Sequence, residues 1–108
     1  MLVKEFVNNL IKNENVLVFS KTFCPYCSAT KKLLRNLNCP FKLVELDTFR
    51  KGKEIQNYLY DITKQKTVPS TFINGKHIGG NDKLQAMYKK GELLPLIKPY
   101  INKPESKL

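Results

Sequence analysis

Residues 21–27 read Lys-Thr-Phe-Cys-Pro-Tyr-Cys, which puts Cys24 and Cys27 two residues apart with a proline between them. Two thiols at that spacing hold a metal ion or work as a dithiol–disulfide couple, and their place in the chain decides between the two. The apolar β-forming run Val16–Phe19 precedes them and a helix-like stretch follows. Cys24 therefore falls where a strand hands over to a helix N-terminus. Unpaired amide N–H groups and the positive end of the helix dipole gather there. Both favour a thiolate at Cys24, the species that attacks a disulfide, and Lys21 adds a positive charge close by. Cys27 lies one turn further in, is more shielded, and is expected to stay protonated. Redox chemistry is the leading reading. Structural zinc would need four ligands, and the two remaining candidates, Cys39 and His77, lack a matching spacing.

The elements that must position this pair follow from periodicity. Val3, Phe6, Val7, Leu10 and Ile11 recur at helical spacing and predict a first helix over 2–13. Val16–Ser20 is a strand, and 25–37 a helix that opens on Pro25, a residue suited to the first helical turn. Asn38-Cys39-Pro40 ends it, Phe41–Leu46 reads as a second strand, and Asp47 or Thr48 is placed to cap a helix over 50–63. A third strand spans Val68–Ile73, Asn74-Gly75 makes a hairpin turn, and Lys76–Ile78 returns. Asn81 or Asp82 is expected to cap a helix over 82–90 that Gly91 ends, and a last amphipathic helix covers 92–101. The order α-β-α-β-α-β-β-α-α predicts an α/β domain. Its sheet has four strands, mixed, with one parallel βαβ unit and one hairpin, flanked by helices.

A chain of 108 residues supports one core, so a single domain over 1–108 is expected, with 102–108 a frayed polar tail. No apolar run approaches the roughly 20 residues of a membrane helix. No secretory leader is visible at Met1–Phe6, so the cytoplasm is the expected compartment, without a membrane partner. Three cysteines, an odd number, do not suggest a disulfide-stapled secreted scaffold. The net charge of +10 serves solubility or draws small anions. The lysines are scattered, and no segment interleaves aromatic and basic residues as a specific nucleic-acid module would.

Three motifs at their spacings carry a resemblance across roughly residues 3–101: Cys24-Pro-Tyr-Cys27, Thr67-Val-Pro69, and Asn74-Gly-Lys-His-Ile-Gly-Gly80. Together they resemble a dithiol glutaredoxin of the thioredoxin fold. The resemblance implies a glutathione-dependent oxidoreductase with Cys24 as nucleophile and Cys27 as resolving thiol. It implies a cis peptide before Pro69, with the Val68 backbone, next to Thr67, pairing with glutathione like an added strand. Lys21 and Gln56 would meet the glycine carboxylate, and Tyr26 would flank the sulfur. The γ-glutamyl carboxylate would meet the helix start at Gly80, Asn81 and Asp82. Glutathione is then a cosubstrate, with no permanently bound cofactor and no metal. The implied partners are glutathionylated proteins and disulfide proteins such as ribonucleotide reductase, met by a monomer. The alternative is a carrier in which Cys24 of two chains and two glutathiones hold a [2Fe–2S] cluster; Pro25 stiffens the turn and argues against it. Lys83 departs from the family pattern, standing where an acidic residue is common, and a modest loss of glutathione affinity is expected. His77 is read as a surface residue. Cys39 is read as a bystander thiol, with glutathionylation or pairing between chains as the alternative.

Overall fold

The computed structural model describes residues 2–101; the expected tail at 102–108 lies outside them. In chain order the elements are α1 (Val3–Asn13), β1 (Val16–Ser20), α2 (Pro25–Asn36), β2 (Lys42–Glu45), α3 (Gly52–Thr63), β3 (Ser70–Ile73), β4 (Lys76–Gly79), α4 (Asn81–Lys89) and α5 (Leu93–Ile97). Short 3₁₀ turns at Leu46–Thr48 and Lys98–Tyr100 complete them. The four strands lie in the order β2-β1-β3-β4. β1 runs parallel to β2, as the helical crossover requires, and antiparallel to β3; the β3–β4 hairpin closes the sheet.

Helices cover both faces, which is why β1 is buried at all five positions and reads as an unbroken apolar run. Leu17 and Phe19 point to one face with Val7, Val44, Ile55, Leu59 and Phe72, the layer closed by α1 and α3. Val16 and Val18 point to the other with Leu34, Ile73, Leu84, Leu93 and Ile97, the layer closed by α2, α4 and α5. Asn74 (φ 54°) and Gly75 (φ 81°) form the hairpin turn, both with positive φ as a type I′ turn demands.

Boundaries differ from expectation where local chemistry intervenes. α3 starts at Gly52 with Lys51 as an N-cap that makes no side-chain bond. Asp47 and Thr48 do not cap it; they belong to the 3₁₀ turn, where the Thr48 hydroxyl donates to the Glu45 carbonyl. That turn crowds the helix start: a Cβ on Gly52 would stand 1.9 Å from the Leu46 carbonyl oxygen. β3 begins at Ser70 rather than Val68, because Pro69 has no N–H to give the ladder. α4 is capped by Gly80, not by Asn81 or Asp82, which are its first two residues. α5 gives way at Lys98 to a 3₁₀ turn containing Pro99, whose ring cannot continue the α-helical bonding.

Cys39 has a packing role. Asn38 adopts a left-handed φ of 57° after α2, and its N–H reaches the Arg35 carbonyl. The Cys39 N–H then reaches back to the Leu34 carbonyl at 2.9 Å. This is a Schellman closure, in which the second residue past the cap makes an apolar contact with the last helical turn. Cys39 is that residue, buried in one cluster with Leu34.

Candidate active site

Cys24 is the N-cap of α2, with Pro25 at the first helical position. Its carbonyl accepts the Ser28 N–H, and its Sγ accepts the Cys27 N–H at 3.2 Å. That is the placement in which an N-terminal helical amide meets an anion. The loop between β1 and α2 is held from outside. Asp47 accepts both the N–H of Thr22, at 3.0 Å, and its hydroxyl. Those bonds hold the Asp47 carboxyl below the usual carboxylate range, with Lys21 adding a smaller attraction. Cys24 is partly exposed, whereas Cys27 is fully buried. Burial first, and then its bond to Cys24, push the Cys27 thiol up. The two sulfurs thus differ in exposure, Cys24 at the surface and Cys27 inside.

The Val68–Pro69 peptide is cis, and the Val68 carbonyl stands 3.8 Å from Cys24 Sγ. Thr67 and Val68 form a wall shared by two grooves. One, of about 390 Å³, is lined by Lys21, Phe23, Cys24, Gln56 and Lys66. The other, of about 430 Å³, is lined by Tyr26, Pro69, Gly80, Asn81, Asp82 and Lys83. Every residue singled out for the thiol pair and for the tripeptide thus borders the pair itself or one of these grooves. Gln56 is already committed in part: its Nε2 donates to the Lys66 carbonyl at 2.8 Å, leaving its second N–H. The Asn81 side chain turns inward, where Oδ1 accepts from Thr30 and Gln85. What α4 offers the groove is therefore backbone: its glycine N-cap provides no side-chain partner for the first amides.

Several contributors gave no sequence signal strong enough to be found. The Thr22–Asp47 clamp joins residues 25 apart. Lys31 of α2 and Glu45 of β2 form a nearly buried ion pair at 2.8 Å beneath the helix that carries the cysteines. Gln65 lies beneath the Thr67–Pro69 turn and donates to its carbonyls. His77 is not a plain surface residue: it is half-buried, packs its ring at a tilt against Phe72, and its Nε2 lies 3.1 Å from both Gln65 Oε1 and Ser70 Oγ. Burial, and then the charge of Lys83, hold its imidazole below its ordinary value. Among the described residues no group of three or more His, Cys, Asp or Glu is gathered to hold a metal, and the four zinc candidates are not brought together. A further groove of about 410 Å³, lined by Val3, Phe6, Phe49, Arg50, Lys51 and Ile55, shares no residue with the other two and contains no thiol.

Comparison with known proteins follows the same lines. A family model described as glutaredoxin matches residues 16–78. The chain is 51% identical over 88 residues to a glutaredoxin of Vernicia fordii, covering 82% of this chain and 85% of that one. It is 45% identical over 96 residues to glutaredoxin-2 of Schizosaccharomyces pombe, covering 89% and 87%. Among solved structures, the buckwheat glutaredoxin–glutathione complex matches with a TM-score of 0.90 and 38% identity over 93% of each chain.

Proposed function

The chain belongs to the glutaredoxin family and is a glutathione-dependent thiol oxidoreductase, and from that premise we propose that Cys24 is the attacking thiolate and Cys27 the resolving thiol. One observation carries the assignment. Cys24 Sγ caps α2 under the Cys27 amide and opens to the surface, while the Cys27 thiol is fully buried.

The steps follow from that inequality. Cys24 thiolate attacks the glutathione sulfur of a protein–glutathione disulfide, and the protein leaves as a thiolate that takes up a proton. A second glutathione thiolate then attacks the glutathione sulfur bonded to Cys24. Oxidised glutathione departs, and Cys24 leaves as the thiolate that its helix position stabilises. With a protein disulfide, Cys24 first forms a mixed disulfide with one substrate sulfur. Cys27 then gives up its proton and attacks Cys24 Sγ, expelling that substrate sulfur, and two glutathiones reduce the Cys24–Cys27 disulfide.

The tripeptide spans the wall between the grooves. Its cysteinyl backbone pairs with Val68, beside Thr67 and Pro69, which aims its sulfur at Cys24. Lys21 and the free N–H of Gln56 receive the glycine carboxylate, and Tyr26, 65% exposed, covers the sulfur with its ring. The γ-glutamyl carboxylate meets the amides of Asn81 and Asp82 where Gly80 admits it. Glutathionylated and disulfide-bonded proteins are the substrates. The test is turnover of a glutathione mixed disulfide by Cys24→Ser and Cys27→Ser variants. The first is expected to be inactive and the second to keep substantial activity; activity retained in Cys24→Ser overturns the mechanism.

A further inference from the structure

The side chain of Gln65 makes four polar contacts. Its Nε2 donates to the carbonyls of Thr67 and Pro69, both at 2.8 Å, and lies 3.5 Å from the Thr67 hydroxyl. Oε1 lies 3.1 Å from His77 Nε2. Two carbonyl acceptors on one end of an amide settle which end is nitrogen. Reversing the amide would set oxygen against oxygen twice. Oε1 must therefore accept, and the neutral imidazole must carry its hydrogen on Nε2. His77 is in turn seated on β4, against the Phe72 ring at 5.1 Å and beside Ser70 Oγ. A rigid hairpin thus holds an imidazole, the imidazole holds an amide, and the amide holds two carbonyls.

Those carbonyls flank Val68. Residues 64–69 precede β3, so no sheet ladder fixes their backbone. Without Gln65 the Thr67 and Pro69 carbonyls lack these partners, and the Val68 peptide groups could turn with them. With it, both carbonyls face Gln65 while the Val68 carbonyl faces Cys24 Sγ. Gln65 Nε2 also lies within 3.7 Å of where a Cβ on Gly80 would stand, so the brace borders the start of α4.

We propose that Gln65, oriented by His77, is a positioning residue that presents the Val68 backbone to glutathione and so sets the preference for glutathione over other thiols at Cys24. The inference rests on the pairing of Val68 with the tripeptide proposed above. Its test compares two mixed disulfides of the same carrier thiol, one with glutathione and one with cysteamine, which has no peptide backbone to pair. Gln65→Glu keeps the shape and loses both donated bonds, and Gln65→Met loses all polar contacts. His77→Phe keeps a ring on Phe72 and removes the Nε2 contacts to Gln65 Oε1 and Ser70 Oγ. Alkylation of Cys24 by iodoacetamide reports the nucleophile without glutathione.

In both Gln65 variants the preference for the glutathione substrate is expected to fall about tenfold, the scale of two lost hydrogen bonds. The loss should appear in KM, with kcat and the alkylation rate within about twofold of wild type, and His77→Phe should lose about threefold. An undiminished preference in the variants overturns the inference. So does an equal loss on both substrates together with slower alkylation, which would mark general disruption of the site. If the Gln65 variants fail to fold, the His77→Phe result decides alone. A wild type that does not prefer glutathione over cysteamine overturns the Val68 pairing and this inference with it.

Discussion

Lys31→Met isolates the ion pair beneath the catalytic helix. Lys31 Nζ lies 2.8 Å from Glu45 Oε2, with the two side chains 11% and 17% exposed. The second carboxylate oxygen, Oε1, is buried and has no protein partner. Removing the ammonium therefore strands a carboxylate with neither oxygen paired. Breaking a fully buried pair costs about 3–5 kcal/mol. The remaining exposure admits water to the stranded group and lowers this to about 2–3 kcal/mol. For a domain of this size Tm should fall by about 10–20 °C, and the urea midpoint should drop with an unchanged m-value. The companion is the double variant Lys31→Met with Glu45→Met. It removes the stranded charge and should recover most of the loss, since apolar replacement of a buried pair is often close to neutral. A Lys31→Met protein as stable as wild type refutes the reasoning. So does a double variant less stable than Lys31→Met alone.

Burial holds the Cys27 and Cys39 thiols above their ordinary value of 9.0, whereas in the unfolded chain they ionise at it. The fold is then at full strength below that value and loses stability as pH climbs through it toward the raised ones. Cys39→Ala should unfold more easily at neutral pH yet decline less steeply as pH rises above 9.0; parallel curves refute the assignment. Gly52→Ala would set a Cβ 1.9 Å from the Leu46 carbonyl oxygen and should cost about 3 kcal/mol in denaturant unfolding. It should also raise the glutathione KM, because Gln56 rides on the displaced turns of α3, and a wild-type melting temperature would be the contrary result. Lys83 lines the groove beside Asp82, and Lys83→Asp should lower the glutathione KM about threefold by offering the γ-glutamyl amine a carboxylate. An unchanged KM refutes it.

The elements that present Cys24 are legible because each writes itself in adjacent residues. An apolar run makes a strand buried on both faces, Pro25 suits the first turn of α2, and Asn74-Gly75 suits only a tight hairpin. The supports are not legible in that way. Asp47 finds Thr22, Gln65 finds His77 and Lys31 finds Glu45 only after distant segments meet, and no local pattern encodes those meetings. One trace was present: Cys27, Lys31 and Leu34 recur at i, i+4 and i+7, which puts Lys31 on the buried face of α2. The helix caps misled for a related reason. Asp47 has cap chemistry but gives its oxygens to Thr22, and Asn81 gives its oxygen to Thr30 and Gln85, so both helices begin without side-chain caps.

The amide that donates to Cys24 Sγ belongs to Cys27 itself. On the proposed mechanism residue 27 therefore enters the exchange twice, once through its backbone and once through its side chain, and mutation can take the two apart. Replacing the thiol removes the internal attacking group and leaves the donor in place. Any residue that preserves the first turn of α2 supplies the same N–H, whereas a proline would remove it. The backbone part of the nucleophile's environment does not depend on the second sulfur, whose thiol makes a separate contact with Cys24. On the mechanism proposed above, a Cys27 variant of this fold keeps the helix-cap amide for Cys24 and loses the internal attacking thiol and its contact with Cys24.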